Sequence, residues 1–247
     1  MRIAILLLLS LALGESAFAQ IMGTRVEYTA GTGFFVSPYG HVITNHHVIR
    51  ECQDGTIELR GAIEGKAQLV ASDPSFDLAL LQADLNSPSA GVLLATERTI
   101  NVGDKVLVMG YPLSSSETGQ YSLATAQVVG VRGPTGEPQW LQFSDSAQKG
   151  NSGGPLLDQS GNIIGVVTGK SELYSIDSAT HQRVSLGKSD IAVTLPVLKN
   201  FLNKNGIHFL QAESLTIRTD SMIETNAQRF ILNIKCVTGR QPIPAPE

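Results

Sequence analysis

Three short segments carry residues whose types and order could perform nucleophilic catalysis. The first runs from Gly31-Thr32-Gly33-Phe34-Phe35-Val36 through the turn Ser37-Pro38-Tyr39-Gly40 to His41-Val42-Ile43-Thr44-Asn45-His46-His47-Val48, a strand, a turn and a second strand ending on two histidines. The second, Asp73-Pro74-Ser75-Phe76-Asp77-Leu78-Ala79-Leu80-Leu81, sets a carboxylate at the head of an apolar strand. The third, Gln148-Lys149-Gly150-Asn151-Ser152-Gly153-Gly154-Pro155-Leu156-Leu157, is dense enough in Gly and Ser to force a tight turn. A serine hydroxyl is a weak nucleophile: an imidazole must take its proton, and a carboxylate must fix the imidazole's tautomer and stabilise its cation. His, Asp and Ser follow in that order here, and amides around a sharp turn can converge on an oxyanion. Alone, Gly-Asn-Ser-Gly-Gly-Pro reads equally well as a plain β-turn. The conjunction of the three segments is what points to chemistry.

The elements that must position these residues are short. Apolar runs bounded by Gly, Pro, Asn, Asp or Ser recur at His41–Thr44, Thr56–Leu59, Asp77–Leu81, Lys105–Met109, Ala126–Val131 and Asn162–Thr168. Such spacing predicts an all-β sandwich or barrel, and runs that are apolar on both sides suit strands buried on both faces. One helix is predicted over Leu195–Lys204, with apolar residues at 195, 198, 201 and 202, Pro196 near its start and Asn205-Gly206 after it. Beyond it, Ile207–Leu210, Ser214–Arg218 and Phe230–Val237 read as weak strands around a polar middle, and the alternating prolines of 241–247 read as a solvated tail.

The three segments resemble those of the chymotrypsin-like serine proteases, most closely the HtrA (Deg) branch, whose motifs are Thr-Asn-x-His-Val, Asp-x-x-x-Asp-x-Ala-Leu and Gly-Asn-Ser-Gly-Gly-Pro. The resemblance runs from about Gly31 to Leu202 and continues through Val102-Gly103-Asp104-Lys105, Met109-Gly110-Tyr111-Pro112 and Gly161–Thr168. It implies two packed six-stranded antiparallel β-barrels with the site in their cleft. It makes His47 the general base, Asp77 the orienting carboxylate and Ser152 the nucleophile, with the amides of Gly150 and Ser152 as the oxyanion hole. His46 falls on the variable position of its motif, and Asp73 on the flanking acid, a turn or cap residue. The implied reaction is peptide-bond hydrolysis through an acyl-enzyme, on polypeptide substrates and without a cofactor. By the same resemblance the primary pocket is built from Ser146 and Ala147, from Thr168-Gly169-Lys170 and from Ser189-Asp190-Ile191. An inward carboxylate at Asp190 would select a basic substrate side chain; an outward one leaves a small or medium aliphatic preference. Lys149 replaces a Pro common in HtrA proteins and is expected at the cleft rim.

The organisation expected is a signal peptide over 1–19, a protease domain over 20–205, and an extension over 206–247 packed on it, too short for the PDZ domains that HtrA proteins carry. Arg2, the apolar run Ile3–Leu13 and the small-x-small site Ala17-Phe18-Ala19 carry the signal-peptide reading, and with it an exported, periplasmic or secreted, location without a membrane anchor after cleavage. Cys52 and Cys236 would then meet an oxidising compartment, where a bridge between them would staple the extension to the first barrel; buried thiols or an intermolecular link are the alternatives. Across 247 residues the net charge is −4, with Lys and Arg scattered, which argues against nucleic-acid partners. No metal site is expected, because adjacent histidines on a strand point to opposite faces and zinc-type spacings are absent. Monomer and homotrimer both stay open. So do two other readings: a glutamyl-endopeptidase-like secreted protease, a family that usually has Ser where this chain has Gly154, and a non-catalytic or latent peptide-binding module on the same fold.

Overall fold

The computed structural model describes residues 24–52, 57–85, 89, 92–96, 99–115, 118–176 and 183–242; the expected signal peptide and residues 243–247 of the expected tail lie outside them. Strands β1 (Thr24–Phe35), β2 (His41–Asn45), β3 (Ile57–Gly61), β4 (Gly65–Asp73) and β5 (Leu78–Ala83) come from the first third of the chain, with a four-residue helix, α1 (His46–Ile49), directly after β2. Then follow β6 (Leu93–Ala95), β7 (Lys105–Gly110), β8 (Ser122–Gly130), β9 (Trp140–Ser144), β10 (Pro155–Leu157), β11 (Ile163–Ile176) and β12 (Arg183–Thr194). The chain ends with α2 (Leu195–Lys204), β13 (Leu210–Ala212), α3 (Asp220–Ala227) and β14 (Ile231–Pro242).

These strands form the expected two six-stranded antiparallel barrels. The second closes in the order β10-β7-β8-β9-β12-β11, with β11 returning to β10; β6 and β13 add to β11 as a parallel flap. The first closes in the order β1-β14-β3-β4-β5-β2. Its sixth strand therefore comes from the C-terminal segment: β14 pairs with β1 from Phe34↔Ile231 to Thr24↔Pro242 and with β3 from Leu232↔Gly61 to Cys236↔Ile57. Every strand of the barrel thereby finds two neighbours, and no edge is left to pair with another chain.

Burial follows the sequence pattern. In β2, β5 and β7 the continuous apolar runs are buried almost throughout, whereas β3 and β8 alternate. Leu195, Leu198, Phe201 and Leu202, the four residues expected on the apolar stripe of α2, are all buried. Phe34, Phe35, Phe143 and Phe230 anchor one continuous core. Among the described residues no helix is long and apolar enough to cross a membrane.

The segment after α2 departs from its expected strands. Ser214–Arg218 forms no strand, because its polar groups bond to the turn after β10: Arg218 N donates to the Gln159 carbonyl at 2.8 Å, Asn162 Nδ2 donates to Ser214 Oγ at 3.1 Å, and Ser214 Oγ donates to Asp158. The polar middle is α3, capped by Thr219, whose side chain accepts from Met222 N, and anchored by Asp220, which receives Lys105 Nζ at 2.7 and 2.9 Å and the Thr125 hydroxyl at 3.2 Å.

Cys52 and Cys236 form a disulfide spanning 184 residues of sequence. It joins the end of the α1 turn to the middle of β14. Replacing both cysteines by Ala should lower the unfolding free energy by about 2–5 kcal/mol, read from the midpoint of urea denaturation with and without reductant. The Lys105 hydrogen bond also holds the Asp220 carboxyl below the usual aspartate range, partly offset by desolvation. A depressed native value contributes stability above the ordinary carboxylate range that is lost as pH falls through the lowered value. Since both groups are more than a third exposed, Lys105→Met should cost only about 0.5 kcal/mol near neutrality. That gap should close in acid, as measured by denaturation at a series of pH values.

Candidate active site

The barrels bring the three catalytic-type segments to one cleft. β2 ends at Asn45, and the chain turns at once into α1, which carries His46 and His47. Asp77 closes the turn before β5 with φ +53°, a left-handed conformation that Asp tolerates better than most residues. From there its carboxylate takes His47 at two points: Oδ1 accepts the His47 backbone amide at 2.8 Å, and Oδ2 lies 2.6 Å from His47 Nδ1. Its carbonyl accepts the amide of His46 at 3.1 Å and Asn45 Nδ2 at 2.8 Å. Two oxygens on one histidine fix both the start of the helix and the plane of the ring. A neutral ring that donates Nδ1–H to this carboxylate has Nε2 as its acceptor nitrogen. Asp73, the flanking acid, accepts Ser75 N at 3.0 Å, as a turn residue. His46 does not face Asp77's carboxylate, and its Nδ1 is buried without a partner.

Ser152 comes from the other barrel, on the turn before β10. Gly150, with φ +100°, and Gly153, with φ +84°, bend this turn. A Cβ on Gly150 would collide with the Tyr111 carbonyl and the Leu113 amide, and one on Gly153 with the Thr32 carbonyl, so both the angle and the space demand glycine. The Lys149 carbonyl accepts Leu113 N at 2.7 Å. Because a trans peptide turns its C=O and N–H in opposite directions, this bond turns the Gly150 N–H away from Leu113. Neither Gly150 N nor Ser152 N has an acceptor among the described residues. Ser152 Oγ donates to the Thr168 carbonyl at 3.2 Å.

Thr32, buried in β1, is the link that sequence reasoning did not single out. Its hydroxyl donates to the Gly150 carbonyl at 2.7 Å and accepts Tyr111 N at 2.9 Å; its amide donates to the Ser152 carbonyl at 2.8 Å, and its own carbonyl accepts the Thr44 hydroxyl at 2.7 Å. One residue of the first barrel thus holds the serine turn of the second. A Thr inside a strand motif carries no sequence signal for that role. Of the expected pocket residues, Ala147, Gly169, Lys170 and Asp190 line a cavity beside Ser152. Ser146 lies behind them with its amide on Asp190, and Thr168 faces Asn45 and Ser152. Among the described residues there is no cluster that could hold a metal ion.

Comparison with known proteins places this geometry. The family model described as "Trypsin-like peptidase domain" matches residues 31–166. The chain is 40% identical over 152 residues to uncharacterized protein y4bJ of Sinorhizobium fredii, covering 62% of this chain and 24% of that one. It is 34% identical over 142 residues to a probable periplasmic serine endoprotease DegP-like of Bartonella henselae, covering 56% and 27%. To serine endoprotease DegS of Salmonella typhimurium it is 33% identical over 140 residues, covering 57% and 39%. The matches thus span well under half the length of these relatives. Among solved structures, the inactive form of the Rv3671c protease of M. tuberculosis superposes with a TM-score of 0.53 at 26% identity, covering 72% of this chain and 88% of that one.

Thr32→Val keeps the side chain's shape and removes both hydroxyl bonds. Leaving the buried Gly150 carbonyl and Tyr111 amide without that partner should cost about 1–3 kcal/mol in urea denaturation, with far-ultraviolet circular dichroism unchanged.

Proposed function

Because this chain belongs to the trypsin-like peptidase domain family, we propose that it is an exported serine endopeptidase in which His47, Asp77 and Ser152 act as a catalytic triad. The observation that carries this reading is the double grip of Asp77 on His47 beside a serine turn whose Gly150 and Ser152 amides have no acceptor among the described residues. To act, Ser152 Oγ must leave the Thr168 carbonyl for Nε2 of His47, and an ordinary rotamer hop about χ1 is the motion this step calls for. His47 then takes the hydroxyl proton as Oγ attacks the scissile carbonyl carbon, and Asp77 stabilises the imidazolium that forms. The Gly150 and Ser152 amides receive the negative oxygen of the tetrahedral intermediate. Collapse expels the amine, which receives the proton from His47, and leaves an acyl group on Ser152. Water, deprotonated by the same imidazole, then adds to the acyl carbon, and collapse breaks the bond to Ser152 Oγ, which takes the proton back from His47 as the acid leaves. Every step uses side chains and amides of this chain.

The disulfide supports an oxidising compartment, as does the name of the periplasmic DegP-like relative. A latent resting state has one observation in its favour, the bond of Ser152 Oγ to Thr168 instead of His47. A fluorophosphonate probe with mass-spectrometric mapping decides between the two. Active enzyme labels at Ser152, and labelling is abolished in Ser152→Ala and in His47→Ala. Asp77→Asn should lower the labelling rate by about 10⁴-fold through the wrong tautomer, a magnitude carried over from the known triad example. Folded protein that takes no label would establish the latent state.

A further inference from the structure

The cavity beside Ser152, about 230 Å³, is lined by Ala147, Lys149, Gly169, Lys170 and Asp190. Asp190 was expected either inward, selecting a basic side chain, or outward and idle. It lies on β12 and is fully buried, and its two oxygens have different neighbours. Oδ2 accepts the amides of Ser146 at 2.7 Å and Ala147 at 2.6 Å, which ties the carboxylate to the pocket base. Oδ1 is shielded from solvent, makes no aligned hydrogen bond, and has Lys170 Nζ at 3.0 Å as its ion-pair neighbour. The pairing is built into the sheet, since Lys170 stands directly opposite Asp190 in the β11–β12 register. On its outer side the same ammonium meets the exposed Asp145.

A buried carboxylate with only one oxygen held by amides needs a cation, and this chain supplies its own. Burial alone would lower the Lys170 pKa, but pairing with Asp145 and Asp190 outweighs that and holds it above the ordinary lysine value, so the charge stays in place. A second cation brought to Oδ1 by a substrate would meet Lys170, and Lys149, which also lines the cavity, adds to the repulsion.

We propose that Lys170 is a specificity-determining residue: its ammonium occupies the place on Asp190 that a basic substrate side chain would take, so the pocket accepts an uncharged side chain on the acyl side of the scissile bond and rejects Lys and Arg. This rests on the reading of Ser152 as the nucleophile, which fixes the cavity as the primary pocket. Removing Lys170 would uncover a dormant acidic pocket.

Benzamidine, a planar cation of the size of such a side chain, and neutral benzamide probe the pocket without any turnover. By titration calorimetry on the disulfide-intact protein, Lys170→Gln should bind benzamidine about tenfold or more tighter than wild type, with benzamide unchanged and the gain lost when Asp190→Asn is added. If the double variant does not fold, the benzamidine-to-benzamide ratio of Lys170→Gln decides alone. Wild type that binds benzamidine as tightly as Lys170→Gln, or a folded Lys170→Gln that gains nothing, overturns the proposal. In peptide-library cleavage, wild type should disfavour Lys and Arg, and Lys170→Gln should shift towards them; a wild-type preference for either overturns the proposal as well. Absence of fluorophosphonate label would instead defeat the assignment of Ser152 while the calorimetric result still stands.

Discussion

A β-barrel is free of edges only when each strand finds two neighbours, and in the first barrel that condition is met by the last strand of the chain. β14 enters between β1 and β3, and the disulfide from Cys236 fastens it to Cys52. Both contacts lie close to the chemistry. Cys52 follows α1, the turn of helix that carries His47, and β14 runs alongside the stretch of β1 that contains Thr32, where Thr32 pairs with Asn233. The position of the imidazole and the position of the threonine that holds the serine turn therefore both depend on a strand joined to them across most of the sequence. Loop closure on this scale carries an entropic cost that grows slowly with length, and a covalent link across it removes freedom from the unfolded chain.

The cleft divides its work between the barrels. The first barrel holds His47 and Asp77, the second holds Ser152 and the amides of its turn, and Thr32 crosses between them with three hydrogen bonds to the second. Gly153 lets the serine turn approach the first barrel so closely that no side chain fits between them, and Gly150 packs as tightly against the Tyr111–Leu113 segment of its own barrel. At Gly153 the sharpness of the turn and the tightness of the junction are one constraint, because one positive-φ residue satisfies both.

Much of this was legible in the sequence. The three motifs name the residues that the structure gathers, the four apolar residues of α2 are buried as spaced, and the continuous apolar runs are doubly buried strands. What escaped were partners distant in sequence. Phe230–Val237 reads as a strand, yet nothing in it says that it belongs between β1 and β3. Ser214–Arg218 has the pattern of a strand but spends its polar groups on a neighbouring turn. The opposition of Lys170 and Asp190 depends on register across β11 and β12, which shifts between Val167 and Gly169 and again between Leu173 and Tyr174. A one-residue shift moves a side chain to the other face, so pairs beyond a bulge cannot be counted off from a hairpin's ends.

The two carboxylates of the cleft illustrate how the neighbours of a charge decide its use. Asp77 has both oxygens on one histidine, one through the backbone and one through the ring, so the ring cannot turn without breaking a charge-assisted bond. Asp190 has one oxygen on two backbone amides and the other opposite a lysine ammonium. The amides are fixed by the fold, whereas the ammonium rides on a flexible four-carbon stem and is shared with a surface carboxylate. The charge on Asp77 is thereby committed to orientation. That on Asp190 is committed by half to the Ser146 and Ala147 amides, and its other half is balanced by the Lys170 side chain.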